Sequence, residues 1–430
     1  MAEPQPFEGR KDDGIAPRRI SCLDPAWLLI GFIWFSYLLN HADRQVVYTL
    51  FPALQKEFGY SDAAVGLTGA LFLWVYGLCS PVAGVLGDRI SKRVLVTGSI
   101  MTWSIFTALS GLSPNGVFLL VCRALLGVSE SMFMPAAYGL MANAHGPETR
   151  SRAISIFATS QLAGVALGGS LSGYIAERYS WRASFLALGL IGILFAGPMW
   201  MFLRSLPEHF DHLKAGKPTP PASAGSFFAL FRIPTLRIIT IFVSIATFGL
   251  YLVYTWLPTF LYDKFSLGLA RAGFEASVYP QVGTALGLLA GGLIGDRWYR
   301  RARAGRLWVV SLGFLLGGPC IFWLGAAPTL MLTRTAAIGF GFFVGFITGN
   351  QAACAFDVVP ASLRASTVGV LNLVGVTTAG FAPFLGGLSR KTIGVDRLMS
   401  FSALLFLASG ILVIYGTRRH FDTDHRLGSE

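Results

Sequence analysis

Gly84-Val-Leu-Gly-Asp88-Arg89-Ile-Ser-Lys92-Arg93 closes one long apolar segment, and Gly292-Leu-Ile-Gly-Asp296-Arg297-Trp-Tyr-Arg300-Arg301 closes another, 208 positions further on. Both read Gly-x-x-Gly-Asp-Arg followed by a basic pair. A second couple repeats the offset to within a few residues: Pro147-Glu-Thr-Arg150-Ser-Arg152-Ala153 and Pro360-Ala-Ser-Leu-Arg364-Ala365. Two independent matches at one spacing predict a duplicated chain.

Around these strings the sequence is apolar. Of 430 residues, 53% are hydrophobic and 13% charged, and the mean hydropathy is +0.59. Soluble domains carry about 25% charge, so the chain lacks the polar surface of a water-borne protein. Its 50 glycines suit helices that approach closely in lipid. An all-α integral membrane protein is expected. The net charge of +12 does not point to nucleic acid, because Lys and Arg fall mostly in alternate loops. Cys22, Cys79, Cys122, Cys320 and Cys354 are scattered and form no CxxC or Cys/His cluster, which reads as small apolar side chains rather than metal ligands or disulfides. With no Walker A loop, HExxH or GxSxG, ATP hydrolysis and enzymatic activity are not expected, and no cofactor is implied.

A helix crosses a bilayer with roughly 20 apolar residues. Twelve segments qualify: 27–54, 62–86, 94–112, 117–142, 153–176 and 183–203, then 236–262, 273–294, 307–324, 330–356, 367–388 and 398–415. The polar stretch 204–226, with Lys217-Pro-Thr-Pro-Pro in its middle, reads as a linker. The expected organisation is a tail (1–24), a six-helix bundle (25–204), a linker (205–229), a second six-helix bundle (230–417) and a tail (418–430). The first tail has charges and prolines without an apolar core, so it reads as disordered rather than as a cleavable signal. With both termini cytoplasmic, cytoplasmic segments hold well over half of the 34 Lys and Arg, as the positive-inside rule requires. An even number of spans per half gives both halves the same orientation. Parallel bundles that rock about a shared site are the build of many secondary transporters.

Charges inside spans carry the chemistry, since one at mid-bilayer costs about 2.5–3.5 kcal/mol on insertion scales. Helix 1 holds Asp43 and Arg44; helix 4 holds Arg123 and Glu130. The four sum to zero. Arg123, Gly127, Glu130 and Met134 share a helical face, and Arg123 and Glu130 stand about 10 Å apart along the axis, so each is expected to pair across to helix 1. Tyr37, Asn40, Arg44 and Tyr48 form a polar stripe. An arginine keeps its charge at cellular pH, so Arg44 or Arg123 can hold an anionic group. A carboxyl in apolar surroundings keeps its proton unless a cation ionises it, so Asp43 or Glu130 can take up a proton when an arginine exchanges it for substrate. The alternative is a fixed ion-pair network that holds the two helices together. His41 can tune coupling or simply donate a hydrogen bond, and Gln161 can face the cavity or bond a neighbouring helix. In the second half, Phe248, Tyr251, Tyr254 and Trp256 on helix 7, Tyr279 and Gln281 on helix 8, Asn350 and Gln351 on helix 10 and Asn372 on helix 11 can grip a polyol or an amphiphile. The aromatic residues can equally belong to the interfacial belt or to packing. Gly84 and Gly292 are read as permitting close helix contact. Asp88 and Asp296, with Arg89, Arg93 and Arg297 beside them, are read as gating residues that meet Arg152 or Arg364 when the cytoplasmic side closes.

The duplicated Gly-x-x-Gly-Asp-Arg loop, after the second and eighth spans, resembles the signature of the major facilitator superfamily. That resemblance implies two pseudo-symmetric six-helix bundles, with helices 1 and 4 lining the central cavity. Asn40-His-Ala-Asp43-Arg44-Gln45 and Arg123-Ala-Leu-Leu-Gly127-Val-Ser-Glu130-Ser-Met-Phe-Met-Pro135-Ala-Ala resemble strings of the anion:cation symporters, and also of the Spinster-like lysolipid transporters. Trp103-Ser, Trp181-Arg and Thr255-Trp-Leu-Pro258-Thr-Phe-Leu fit as well. The resemblance implies that Asp43 and Glu130 are proton-coupling carboxylates and that Arg44 and Arg123 are anion-site or coupling arginines. His41 stands where the family usually has Tyr, and Ser91 where the signature loop has Gly. The expected function is proton-driven symport of a small organic anion such as a sugar acid, by a monomer in a bacterial inner membrane. A lysolipid carrier is the second reading, and a non-transporting sensor the third.

Overall fold

The structure is a computed structural model and describes residues 24–211, 230, 232–360 and 363–429. The expected N-terminal tail and most of the linker lie outside the described residues. The first half contains α1 (Pro25–Thr49), α2 (Phe51–Phe58), α3 (Asp62–Arg89), α4 (Lys92–Gly111), α5 (Gly116–Ser131), α6 (Phe133–Ala144), α7 (Pro147–Arg178) and α8 (Trp181–Ser205). The second contains α9 (Pro234–Phe265), α10 (Leu269–Tyr299), α11 (Gly305–Ala326), α12 (Leu330–Phe356), α13 (Arg364–Arg390) and α14 (Val395–Ser429).

Polar caps start the rods where turn sequence meets an apolar run. The Asp24 carboxylate accepts from the Ala26 amide with Pro25 in the first turn, and Ser61, Ser91, Asn115 and Ser180 cap α3, α4, α5 and α8; each satisfies an orphan amide. Two expected spans are interrupted. The first ends at Thr49, and α2 follows with Pro52 in its first turn. The fourth is cut at Met132, with Pro135 just inside α6. Proline lacks an amide hydrogen and clashes with the preceding turn, so helix restarts on its N-terminal side.

Among the described residues, eleven helical segments are long and apolar enough to cross a membrane, with α5 and α6 counted together. α1, the first expected span, falls outside these eleven; its polar run from Asn40 to Gln45 lowers its hydropathy. The repeat predicted from sequence reappears in the packing. α1 packs on α7, α3 on α5 and α4 on α8; their counterparts α9 and α13, α10 and α12, and α11 and α14 do the same. The last helix runs on to Ser429, past the expected span end at 415. There the Asp424 carboxylate accepts from the Thr235 amide at 2.8 Å, and His425 Nδ1 bonds the Asp357 carbonyl at 2.7 Å.

The halves meet along α3 with α13 and α7 with α10. Side chains at Gly66, Gly387, Gly173 and Gly273 would collide with the backbone of Pro383, Asp62, Leu269 and Gly169. All of these contacts lie at the end opposite the signature loops. Towards the loops the bundles part: nothing lies within 4 Å of the Cβ position at Gly84 or Gly292. The close helix contact expected of these two glycines is therefore not made, because the cleft is open at their end.

Candidate substrate and coupling site

Gly164 and Gly168 let α7 press on the backbone of Leu38 and Ala42 in α1, and Gly127 lets α5 press on the Phe72 carbonyl of α3. These approaches bring the four intramembrane charges together. Arg44 Nε donates to Glu130 Oε2 at 2.7 Å, with Glu130 wholly buried. The Arg44 guanidinium also lies 4.6 Å from the Tyr76 ring centroid and 5.1 Å from that of Phe72. Arg123 does not bond the Asp43 carboxylate. Its Nη1 donates to the Asp43 carbonyl at 3.3 Å and its Nε to the Thr68 carbonyl at 3.4 Å, over the other part of the Phe72 cage at 5.0 Å. The expected pairing of helix 4 with helix 1 holds for Glu130; for Arg123 the partner is backbone.

The cluster is left with unused capacity. Among the described residues, Asp43 Oδ1, Glu130 Oε1, both amide atoms of Asn40, His41 Nε2, Tyr48 Oη and Arg123 Nη2 are buried without a hydrogen-bond partner. Buried polar groups are normally satisfied, so these atoms are where water or a bound solute can be taken up. Tyr37 is spent on packing, stacked on Phe157 at 4.6 Å and edge-on to His41 at 4.5 Å.

Across the cleft, Tyr251 comes within electrostatic reach of Arg44. Gln45 Nε2 donates to the Tyr254 carbonyl at 3.3 Å, and Gln281 Nε2 to the Tyr254 hydroxyl at 2.6 Å. Tyr254 and Trp256 are buried between the halves, not in an interfacial belt. Asn350 is elsewhere: its amide donates to the carbonyls of Gly291 and Phe346 at 3.0 and 2.9 Å, tying α12 to α10 near the signature loop. Gln161 and Gln351 are half-buried and Asn372 is exposed; none has a side-chain bond that joins it to the charge cluster.

The sequence profile of the Major Facilitator Superfamily matches residues 33–376. The chain belongs to this superfamily. It is a secondary membrane transporter, not an enzyme. The chain is 25% identical to a probable L-galactonate transporter of Escherichia coli (strain K12), over 93% of this chain and 91% of that protein. It is 25% identical to a hexuronate transporter of Bacillus subtilis (strain 168), over 90% and 92%. Its fold matches a bacterial homologue of the human lysosomal transporter Spinster, solved inward-facing and unoccupied, with a TM-score of 0.76 at 19% identity, covering 95% of this chain and 98% of that one.

In this facilitator no side-chain bond of the signature loops crosses between the halves among the described residues. Asp296 pairs with Arg306 at 3.1 Å, and Arg306 pairs with Asp357 at 3.0 Å; Arg364 donates to the Phe356 carbonyl at 3.4 Å and lies over the Phe356 ring at 5.6 Å. Asp296 thus bonds Arg306 rather than Arg364, the partner expected when the cytoplasmic side is closed. Arg93 donates to the carbonyls of Leu206 and Pro207 at 2.9 and 2.8 Å and faces Asp211 at 3.8 Å. Arg89, Arg152 and Arg297 are exposed, and the Asp88 side chain lies outside the described residues.

Sequence reasoning missed the Phe72 and Tyr76 cage, because aromatic residues are plentiful and nothing local marks these two. It also missed the lock at the closed end. Arg390 Nη1 donates to Asp62 Oδ1 at 2.7 Å and Gln55 Oε1 at 3.0 Å, and Nη2 to Asp263 Oδ2 at 2.5 Å. One arginine there joins both halves. The available signal was three charges at predicted span ends, which topology alone also explains.

Proposed function

We propose that the chain is a proton-coupled symporter of small organic anions, with a sugar acid or another carboxylate as substrate. It works by alternating access in a bacterial inner membrane, with both termini cytoplasmic, so that its open cleft faces the cytoplasm. One observation carries this reading: a buried arginine bound to a carboxylate, Arg44 to Glu130, beside unpartnered oxygens of Asp43 and Glu130. A proton arriving on Glu130 removes the charge that holds Arg44. The guanidinium then accepts a substrate carboxylate by a charge-assisted, bidentate bond, with Tyr76 and Phe72 keeping it in place. Substrate departure returns Arg44 to Glu130 and expels the proton. Asp43, on the same helix, is a second carrier in the relay, with Asn40 and His41 flanking it. Across the cleft, Tyr251, Tyr254 and Gln281 supply hydroxyl and amide groups for the body of the substrate. The names of the two sugar-acid relatives support the substrate class.

The test is uptake into proteoliposomes under an inward proton gradient, with and without a protonophore. Protonophore-sensitive uptake of a hexuronate or aldonate is expected. Glu130→Gln and Asp43→Asn should each cut gradient-driven uptake at least tenfold while leaving substrate exchange measurable. Gradient-driven uptake intact in both variants would sink the coupling scheme. The likeness to the Spinster homologue keeps an amphiphile in the screen: movement of a lysophospholipid alone would turn the reading to a lipid carrier, with the second-half aromatics as the substrate wall.

A further inference from the structure

The two signature loops are alike in sequence but not in what their cations do. In the first copy, Lys92 is buried and Arg93 is folded back on the start of the linker. In the second copy, Arg297, Arg300, Arg301 and Arg303 are all exposed, and none has a side-chain hydrogen bond or ion pair among the described residues. α14 adds two more: Arg418, whose guanidinium lies 5.8 Å from the Trp308 ring of α11, and Arg419, both exposed. Four free cations therefore stand together at the C-terminal end of α10 and in the turn after it, with Arg418 over the neighbouring α11.

Helix geometry sets the depth of this face. α10 has 31 residues, about 46 Å at 1.5 Å per residue, against a hydrocarbon core of about 30 Å. Its ends must stand in the headgroup layers. Val282, Leu286, Leu289 and Leu293 are exposed and follow one another at steps of four, three and four, opposite the face whose glycines pack on α7 and α12. The same stripe continues into Arg297 and Arg300. An apolar surface thus runs straight into guanidinium groups, with Trp298 exposed beside them, as at a bilayer interface.

We propose that this face is a binding site for the phosphate headgroup of an anionic phospholipid. Guanidinium matches phosphate oxygens geometrically, and juxtamembrane basic clusters concentrate anionic lipid. A topology signal alone needs only charge on the correct side; it does not need the cations aligned with a lipid-facing stripe. The inference is independent of the transported substrate.

The experiment measures the thermal midpoint of the purified chain in detergent micelles doped with phosphatidylglycerol or, at equal mole fraction, phosphatidylcholine. Phosphatidylglycerol is expected to raise the midpoint by several degrees more than phosphatidylcholine. R300Q/R301Q/R303Q should lose most of that excess, while the charge-matched R178Q/K391Q/R397Q at the opposite end keeps it. If the triple variant cannot be purified, R297Q/R300Q, the two arginines that continue the apolar stripe, is read in the same way. Glycerol 3-phosphate should have no effect. An excess that survives in the arginine variants, is absent from the parent chain, or is reproduced by glycerol 3-phosphate overturns the proposal.

Discussion

Arg44 and Arg123 share the Phe72 ring but are held by different chemistry. Arg44 has a carboxylate that a proton can neutralise; Arg123 has two main-chain carbonyls that no proton can change. In the proposed cycle this makes Arg44 the exchangeable cation and Arg123 the fixed one, a distinction invisible in a sequence where each is simply an arginine within a span. A second residue-scale prediction concerns His145, which sits at the turn between α6 and α7. Its Nε2 bonds the Ala26 carbonyl at 3.1 Å, its Nδ1 bonds Thr149 Oγ1 at 3.2 Å, and Trp27 packs edge-on at 4.9 Å. Burial pushes its pKa below the ordinary 6.5, against the opposing pull of the Ala26 carbonyl and Asp24. A depressed histidine contributes stability above its unfolded value. That stability is lost as the pH falls, because the unfolded chain takes up a proton that the folded chain resists. The thermal midpoint should therefore drop between pH 7 and pH 5, and His145→Gln should flatten the decline; an unchanged profile in that variant would remove His145 from the account.

At the scale of elements, glycine decides which helices touch. Gly283, Gly287 and Gly291 on α10 face the backbone of Ile338, Phe342 and Phe346, while Gly341 and Gly345 on α12 face Pro280 and Gly287. A Cβ at Gly341 would fall on the Pro280 carbonyl oxygen. Gly341→Leu should thus force α10 and α12 apart, at a cost of about 1–3 kcal/mol or more. The check is a lowered thermal midpoint, with Gly98→Leu, where nothing lies within 4 Å of the Cβ position, as the tolerant control. The twelve rods and their order were legible because length and hydropathy report them directly. The interruptions at Leu50 and Met132 were not read, although Pro52 and Pro135 signal them, because each lies within an apolar run that hydropathy treats as continuous.

Across the whole molecule, the cleft is closed at one end by α3 against α13 and α7 against α10, and Arg390 spans the seam. Its bonds to Asp62 and Gln55 of the first half exist only while that end is shut, whereas Asp263 holds it from its own half. The lock is partly solvent-exposed, with the Arg390 side chain 23% accessible, so it biases the two states rather than fixing one. Arg390→Gln should shift the population towards the state open at that end. A cysteine at Ser277, buried in the seam beside Gly169, should then react faster with a membrane-impermeant maleimide added from outside. An unchanged labelling rate would mean that the glycine contacts alone hold the end closed.

Duplication, span count and the identity of the four intramembrane charges followed from the sequence alone, because repeat spacing and the cost of burying charge in lipid are properties of composition and order. Which charge meets which followed only from the tertiary structure. Glu130 reaches Arg44 across 86 positions, and Asp296 pairs with Arg306 rather than Arg364, because partner choice depends on how closely glycine-lined helices approach and on which end of the cleft is open. Helical periodicity places a residue on a face; only packing decides what that face meets.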